Sequence, residues 1–264
     1  MNGRVSWRRL AVLRGQLTER DWEIAMMLKR IKLANGTQLR RATSGDNSPA
    51  GERAARRQLA RLVEWRVVER LERRQGGLGR GSDSWTYALG PTGQRLSADV
   101  SRTRRPVLPS QPMWQHALLG TEIYTRLVEA TRGSDREVAL WQGEPDCWRD
   151  YPGPLGEQMR LKPDAFVIVS GPDYEDMAFV EFDTGSQSRA VMRSKIEAYR
   201  RYRASGQEQG IHDGVFPMVV IVTTSPERQA MLLDLLTFVP SEDWQLFAVG
   251  QLADAPRLLM GGAS

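Results

Sequence analysis

The chain has 264 residues, of which 41% are hydrophobic and 26% are charged, and its formal net charge is +5. This length allows one or two domains with a buried core. No apolar run approaches the ~20 residues that a membrane-spanning helix needs, and the basic N-terminus lacks the apolar segment of a signal peptide. A single cysteine excludes an internal disulfide, and two histidines make a structural zinc site unexpected. We therefore expect a cytoplasmic protein that does not bind membranes.

Charge is distributed unevenly along the chain. Residues 1–110 contain 23 Lys+Arg and 10 Asp+Glu, a net charge of +13, whereas residues 111–264 contain 14 and 22, a net charge of −8. A strongly basic half joined to an acidic half indicates that the basic half binds a polyanion. Charge alone is equally compatible with a solvated basic surface.

The first half predicts a winged helix-turn-helix. The predicted elements are helices at 18–33, 37–42 and 48–65, a strand at 67–73, a glycine-rich loop at 75–82, a strand at 84–89 and a short helix at 91–98. Thr18 is a good N-cap for the first helix, and Ser48 with Pro49 forms a good start for the third. Three helices followed by a two-stranded wing is the winged-helix order, in which one helix enters the major groove of DNA.

Arginines follow one side of the third predicted helix. Their spacings of three, four and eight residues place them in a stripe beside the apolar face, and the residues are Arg53, Arg56, Arg57 and Arg61. Arg80 lies at the tip of the predicted wing, where it would reach phosphate or the minor groove. The sequence therefore predicts binding of double-stranded DNA, with a solvated helix or a winged helix used for protein contacts as the alternatives.

A proline- and arginine-rich segment at 101–112 predicts a linker between a first domain at 1–100 and a second at 113–264. The second domain is predicted to contain helices at 113–131, 187–203 and 226–238, and strands at 137–143, 165–169, 177–182, 216–223 and 244–249. The stretch 145–160 is predicted to be an irregular loop. This order predicts an α/β domain with a mixed sheet, and an α+β chain overall.

Three carboxylates and one lysine are predicted to meet in this second domain. Folding the hairpin about Asp173 brings Asp164 level with Glu181 and Asp183, which share one face of their strand. Lys195 lies within the apolar stripe of the next helix, so it is expected to point toward the sheet, where a buried charge needs a partner. The sequence therefore predicts a polar cluster at one end of the hairpin.

This arrangement resembles the core of PD-(D/E)XK nucleases. Asp164 follows Pro163, Glu181 ends the next strand, and Lys195 takes the place of a lysine that has migrated to the following helix. Asp183 stands where the common pattern has a lysine, so the sequence does not decide whether the site is catalytically active. The resemblance implies that Asp164 and Glu181 would hold Mg²⁺ if the site is active, that a metal-bound water would attack phosphorus, and that Lys195 would orient the water or offset charge.

Glu122, on the helix at 113–131, is a weaker candidate for the acid that nuclease folds of this type often carry before the sheet, and a solvated position is the favoured interpretation. Several motifs along the chain belong together: Leu62-Val-Glu-Trp-Arg-Val-Val, then His116, Leu118, Glu122 and Leu127, then Leu161-Lys-Pro-Asp-Ala, and Glu181-Phe-Asp-Thr-Gly-Ser with Lys195 and Tyr199. With these motifs the chain as a whole resembles the replication-relaxation family of plasmids and other bacterial mobile elements, whose members join a winged helix to a nuclease-like domain.

The resemblance implies a sequence-directed double-stranded DNA-binding protein that acts in replication, relaxation or transfer, or in their regulation. Replication or transfer proteins are the expected partners, and homodimerisation is left open. One alternative is an active Mg-dependent endonuclease. Another is a transcriptional regulator whose second domain binds a ligand or a partner, with Lys195 in a structural ion pair.

Overall fold

The computed structural model describes residues 6–71, 85–97, 106 and 109–262. The chain divides into two compact units, Met1–Thr125 and Arg126–Ser264. The division falls inside helix α6 (Gln111–Thr131), whereas the sequence predicted a linker at 101–112, most of which lies outside the described residues. The predicted mixed α/β fold class is confirmed. No helix in the described ranges is both long and apolar enough to cross a membrane.

The first unit combines helices with a small antiparallel sheet. The helices before α6 are α1 (Trp7–Gln16), α2 (Glu19–Ile31), α3 (Gly36–Thr43), α4 (Pro49–Glu64) and α5 (Pro91–Ser97), and the strands are β1 (Leu33–Asn35), β2 (Val68–Leu71) and β3 (Thr86–Leu89). The strand order is β1-β3-β2, and both pairs are antiparallel. The predicted sequence of three helices and then a strand pair is therefore present in α2, α3, α4, β2 and β3.

Local capping explains where the helices of this unit begin. Thr18 and Asp21 form a capping box at the start of α2, in which each side chain accepts a hydrogen bond from the other residue's backbone N–H. Asn35 and Gln38 form the same motif at α3. Ser48 caps α4, with Pro49 at the first helical position. These short-range bonds fix the helix boundaries independently of tertiary packing.

Two elements of the first unit were not predicted. Helix α1 was missed because its buried residues, Leu10 and Leu13, form only a short apolar pattern among arginines. Strand β1 was missed because it has three residues and follows α2 directly. The glycine-rich loop and Arg80 lie outside the described residues.

The second unit is built on a five-stranded mixed sheet with order β10-β9-β8-β7-β4. Its strands are β4 (Glu137–Gly143), β7 (Ala165–Ser170), β8 (Glu175–Asp183), β9 (Met218–Thr223) and β10 (Phe247–Gln251). Strands β8, β9 and β10 are parallel neighbours, and β7 pairs antiparallel with both β8 and β4. The parallel strands read as nearly continuous apolar runs because both faces of the sheet are covered.

Helices α7 (Arg189–Ala204), α9 (Pro226–Leu236) and α10 (Ala255–Leu259) pack on this sheet. The main core joins the sheet to α7 and α9. Its members include Phe166, Phe179, Met192, Tyr199, Ile221, Leu232 and Val249. Helix α10 contacts the opposite side of β10, since its Leu258 lies beside Gly250, next to the core residue Val249.

Several predictions for the second unit were wrong in detail. The stretch predicted as an irregular loop at 145–160 contains a two-stranded antiparallel sheet of β5 (Arg149–Pro152) and β6 (Gln158–Leu161), whose short strands are interrupted by proline and glycine. The last strand begins at Phe247 because residues Ser241–Leu246 form a 3₁₀ turn. Helices α8 (Gln207–Ile211) and α10 are too short for a periodic pattern, and both were missed.

Candidate functional site

The hairpin of β7 and β8 brings Asp164 and Glu181 together. Ala165 pairs with Val180, so Asp164, directly before β7, comes level with Glu181. Ser170 pairs with Glu175, which shifts the register by one residue from a fold centred on Asp173. The side chain of Glu181 points toward α7, whereas Phe182 lies on the other side of the sheet and stacks on Trp141 with ring centroids 6.3 Å apart.

Both carboxylate oxygens of Glu181 accept hydrogen bonds from α7. The hydroxyl of Tyr199 donates to Oε1 at 2.6 Å, and the ammonium of Lys195 donates to Oε2. Glu181 is only 2% exposed, while the side chain of Lys195 keeps 26% of its surface exposed. Tyr199 was missed as a member of this cluster, although its position four residues after Lys195 places the two on one face of the helix.

The cluster holds its protons tightly. Burial, and then the charge of Asp164, raise the pKa of Glu181 to about 8. Burial lowers the pKa of Lys195, but the carboxylates of Glu181 and Asp164 outweigh it and leave this pKa above its usual value. The charge of Asp164 contributes to both shifts, whereas burial acts in opposite directions on the acid and on the lysine. Burial followed by Glu181 also raises the pKa of Tyr199, which keeps its hydroxyl as a donor.

Asp164 is fixed by the backbone of the next strand. Its Oδ2 accepts a hydrogen bond from the N–H of Phe182 at 2.6 Å, and the residue is buried. The thiol of Cys147 donates to the carbonyl of Pro163 at 3.0 Å, and burial raises the pKa of this thiol to about 12. A thiol with such a pKa is not reactive, so Cys147 acts as packing beneath the cluster.

Asp183 is not part of the group around Lys195. The guanidinium of Arg228, near the start of α9, binds it with two hydrogen bonds of 2.5 and 3.0 Å. Arg228 also donates to the carbonyl of Gln187 at 2.7 Å. Asp183 therefore ties β8 to α9 and to the start of α7, and its buried charge is neutralised by an arginine that sequence reasoning did not assign to the cluster.

As it is arranged, the cluster offers a magnesium ion few uncommitted oxygens. Magnesium is held by carboxylate oxygens, whereas both oxygens of Glu181 accept hydrogen bonds from the chain itself. Asp164 commits one oxygen to the backbone, and Asp183 is bound by Arg228. Metal binding at Glu181 would compete with the hydrogen bonds from Lys195 and Tyr199.

In the first unit, three of the predicted arginines lie on an open face of α4. Arg53, Arg56 and Arg57 are all exposed. Arg56 lies 3.6 Å from Glu52 and its side chain remains 78% exposed, so this pair holds it weakly. Arg53 and Arg57 have no ion pair within the described part of the chain. The structure thus presents three guanidinium groups on adjacent turns of one helix.

Arg61, the fourth predicted arginine, is held by a buried carboxylate of the same unit. Its guanidinium donates to both oxygens of Asp21, at 2.8 and 2.6 Å, and Asp21 is fully buried. Gln58 donates to the same carboxylate at 2.7 Å, and Arg61 stacks on Trp65. Asp21 therefore links the start of α2 to α4 in addition to capping α2, and Arg61 is positioned by this contact.

Glu122 is buried, contrary to the solvated position that the sequence favoured. Arg41, from α3, donates to it at 2.8 Å, and the amide of Gln38 donates at 3.2 Å. These bonds attach the first part of α6 to α3, so Glu122 has a packing role in the first unit.

Comparison with known protein families gives one match. The family model for replication-relaxation proteins matches residues 26–219, which is well over half of the chain. No curated protein matches the chain. The family match indicates a role in the replication or relaxation of plasmids or other mobile elements.

Proposed function

Because this chain belongs to the replication-relaxation family, we propose that it is a double-stranded DNA-binding protein of a plasmid or other mobile element. Its first unit binds the duplex in replication, relaxation or transfer, or in their regulation. The observation that carries the proposal is the open arginine face of α4, formed by Arg53, Arg56 and Arg57.

The winged-helix interpretation gives these arginines a geometric role. Helix α4 is the last helix before the β2–β3 pair, and in a winged helix the helix at that place enters the major groove. Guanidinium groups on its outer face would contact phosphates and base edges, which provide affinity and sequence preference respectively. Arg61 contributes indirectly, since its bonds to Asp21 hold α4 against α2.

The second unit serves assembly and not cleavage in this proposal. Each acid that the nuclease interpretation requires already has a donor or a cation from the chain. Glu181 accepts from Lys195 and Tyr199, Asp164 accepts from the backbone N–H of Phe182, and Asp183 binds Arg228. A hydrogen-bonded and buried ion-pair network is commonly structural. The nuclease-like arrangement thus supports a rigid partner-binding or positioning domain.

The test compares two double variants that remove the same charge from the first unit. Arg53→Ala/Arg57→Ala is expected to weaken binding to duplex DNA and to reduce the salt dependence of the binding constant, by a slope of about 0.9 for each lost phosphate contact. Arg8→Ala/Arg9→Ala, on the exposed face of α1, is the control. Fluorescence anisotropy over a series of salt concentrations measures both. Equal effects of the two variants, or no effect of the first, would refute the assignment.

A second function, Mg-dependent DNA cleavage, is favoured by one observation. Asp164 lies level with Glu181, and the ammonium of Lys195 is beside them and partly open to solvent. The test is a plasmid-nicking assay with Mg²⁺ or Mn²⁺, in which wild type is compared with Asp164→Ala and Glu181→Ala and duplex binding is measured in parallel. Metal-dependent nicking that both changes abolish while binding is intact would establish cleavage. Tight binding without nicking would exclude it.

A further inference from the structure

Two aromatic side chains are exposed on the second unit, away from the acid cluster. Phe238 follows α9 and is 65% exposed, and Trp244, in the 3₁₀ turn, is 52% exposed. Trp244 is held in place because its indole N–H donates to the carbonyl of Val239 at 2.7 Å. The guanidinium carbon of Arg193 lies 5.5 Å from the ring centroid of Phe238. Exposed aromatic rings that are held in place by their neighbours are suited to stacking against another planar group.

A surface cavity of about 470 Å³ lies between α7 and the 3₁₀ turn that carries Trp244. Its lining includes Arg200, Arg201 and Arg203 from α7 and Asp243, the residue directly before Trp244. Arg200 and Arg203 both donate to the carboxylate of Asp243. The two guanidinium groups thus share one carboxylate, and the single negative charge of Asp243 does not neutralise both.

Arg201 contributes a positive charge to this cavity that is not paired with a carboxylate of the described residues. It is exposed and makes no ion pair among the residues that the structure describes. Among the described residues that line the cavity, the other acid is Glu197, which binds Arg200 at 2.9 Å. Three arginines against two carboxylates leave a net charge of +1. Guanidinium groups with unused donors at such a place are suited to phosphate.

A strip along the surface of α7 connects the ring of Phe238 to the cavity. Arg193, Glu197 and Arg201 occupy successive positions four residues apart, so they follow one side of α7. Arg193 contacts Phe238 at one end of this side, and Arg201 lies in the cavity at the other. Lys195, by contrast, turns toward Glu181 and the sheet. The strip is therefore separate from the acid cluster, although both use α7.

The strip is locally basic on an acidic half of the chain. Residues 111–264 have a net charge of −8, so general attraction of polyanions to this half is not expected, and binding would depend on these arginines. A phosphate site next to exposed rings matches single-stranded nucleic acid, in which phosphates follow the backbone and unpaired bases offer faces for stacking. A duplex does not offer those faces, and an acidic peptide would leave the rings unused.

We propose that the strip formed by Arg193, Arg201, Phe238 and Trp244 binds single-stranded nucleic acid, with a phosphate in the cavity and bases on the rings. This surface goes beyond the duplex-binding function of the first unit. The two surfaces have no residue in common, and they bind different forms of DNA. Failure of one proposal is therefore distinguishable from failure of the other.

The test measures binding of a fluorescent oligodeoxythymidylate of about 20 nucleotides to the full chain, since thymine runs lack duplex structure and one site of this kind contacts about 4 to 16 nucleotides. Phe238→Ala and Arg201→Ala are the principal variants, because both side chains are exposed and their loss does not disturb packing. The first is expected to weaken binding about tenfold through lost stacking. The second is expected to weaken binding and to reduce the salt slope by about 0.7.

Arg257→Ala is the matched control, since it removes the same charge from α10, on the other side of the sheet. It is expected to leave oligonucleotide binding unchanged, and all three variants are expected to bind duplex DNA like wild type. Failure of wild type to bind the oligonucleotide, or equal binding by all three variants, would overturn the proposal. Displacement of the oligonucleotide by polyglutamate at an equal concentration of charge would also overturn it, because the strip would then be a site for an acidic protein segment.

Discussion

Neutralising Glu181 is expected to change how the stability of the second unit depends on pH. The substitution Glu181→Gln keeps the size of the side chain and an oxygen that accepts the hydrogen bond of Tyr199, but it removes the ionisable group. Glu181 is almost completely buried, and burial followed by Asp164 raises its pKa to about 8. The variant therefore isolates the contribution of a single buried proton.

The expected magnitude follows from the two pKa values. Between an ordinary value of 4.5 and about 8, the folded protein keeps a proton on Glu181 that the unfolded chain releases. The folded state thus binds more protons, and the free energy of unfolding falls as the pH rises through this interval. The interval corresponds to about 5 kcal/mol, at about 1.4 kcal/mol for each pH unit. This is an upper limit, because water entering the site on ionisation would reduce it.

Urea denaturation of wild type and Glu181→Gln at about pH 5, 7 and 9, in the presence of EDTA, measures the effect. Wild type is expected to lose stability relative to the variant as the pH rises, with most of the loss complete above pH 8. Equal m-values for the two proteins at each pH serve as the control for an unchanged unfolding transition. If the difference in unfolding free energy were the same at all three pH values, Glu181 would not carry a raised pKa and the reasoning would fail.

Three further substitutions test the packing of each unit. Asp21→Ala is expected to lower the free energy of unfolding by about 2–3 kcal/mol in urea denaturation, since Arg61 loses its partner and α2 loses its capping box, and a loss below about 1 kcal/mol would contradict this. Arg228→Met is expected to cost about 3–5 kcal/mol because it leaves the buried charge of Asp183 unpaired, and a stabilised variant would show that this pair is dispensable. Gly93→Ala is expected to lower the melting temperature by several degrees, since the added Cβ would overlap the backbone carbonyl oxygen of Val67. A melting temperature equal to that of wild type would contradict this close contact.

Sequence reasoning located the acid cluster because its signals are local. Glu181 follows an apolar strand, and Lys195 interrupts an apolar helical stripe, so each pattern marks a buried charge that needs a partner. Asp164 and Glu181 are brought together by a hairpin whose register follows from its two apolar runs. Their contacts are therefore the kind that a single sequence predicts.

The missed contacts join residues with no local sign of pairing. Arg228 reads as a surface residue in the first turn of α9, yet it binds Asp183, 45 positions away. Asp21 reads as a helix cap, and its second role toward Arg61 depends on how α2 packs on α4. Glu122 was misread for the same reason. Periodicity identifies which side of a helix is apolar, but it does not identify a charged side chain that is buried against a distant partner.

The role of Glu181 separates the two functions considered for this chain. A metal-dependent nuclease needs this carboxylate ionised and available to a metal, whereas both of its oxygens accept hydrogen bonds from the chain. Duplex binding by α4 makes no such demand, because arginines remain charged at every relevant pH. Substitutions in the cluster should therefore alter the stability of the second unit without altering duplex affinity, and substitutions of Arg53 and Arg57 should do the reverse.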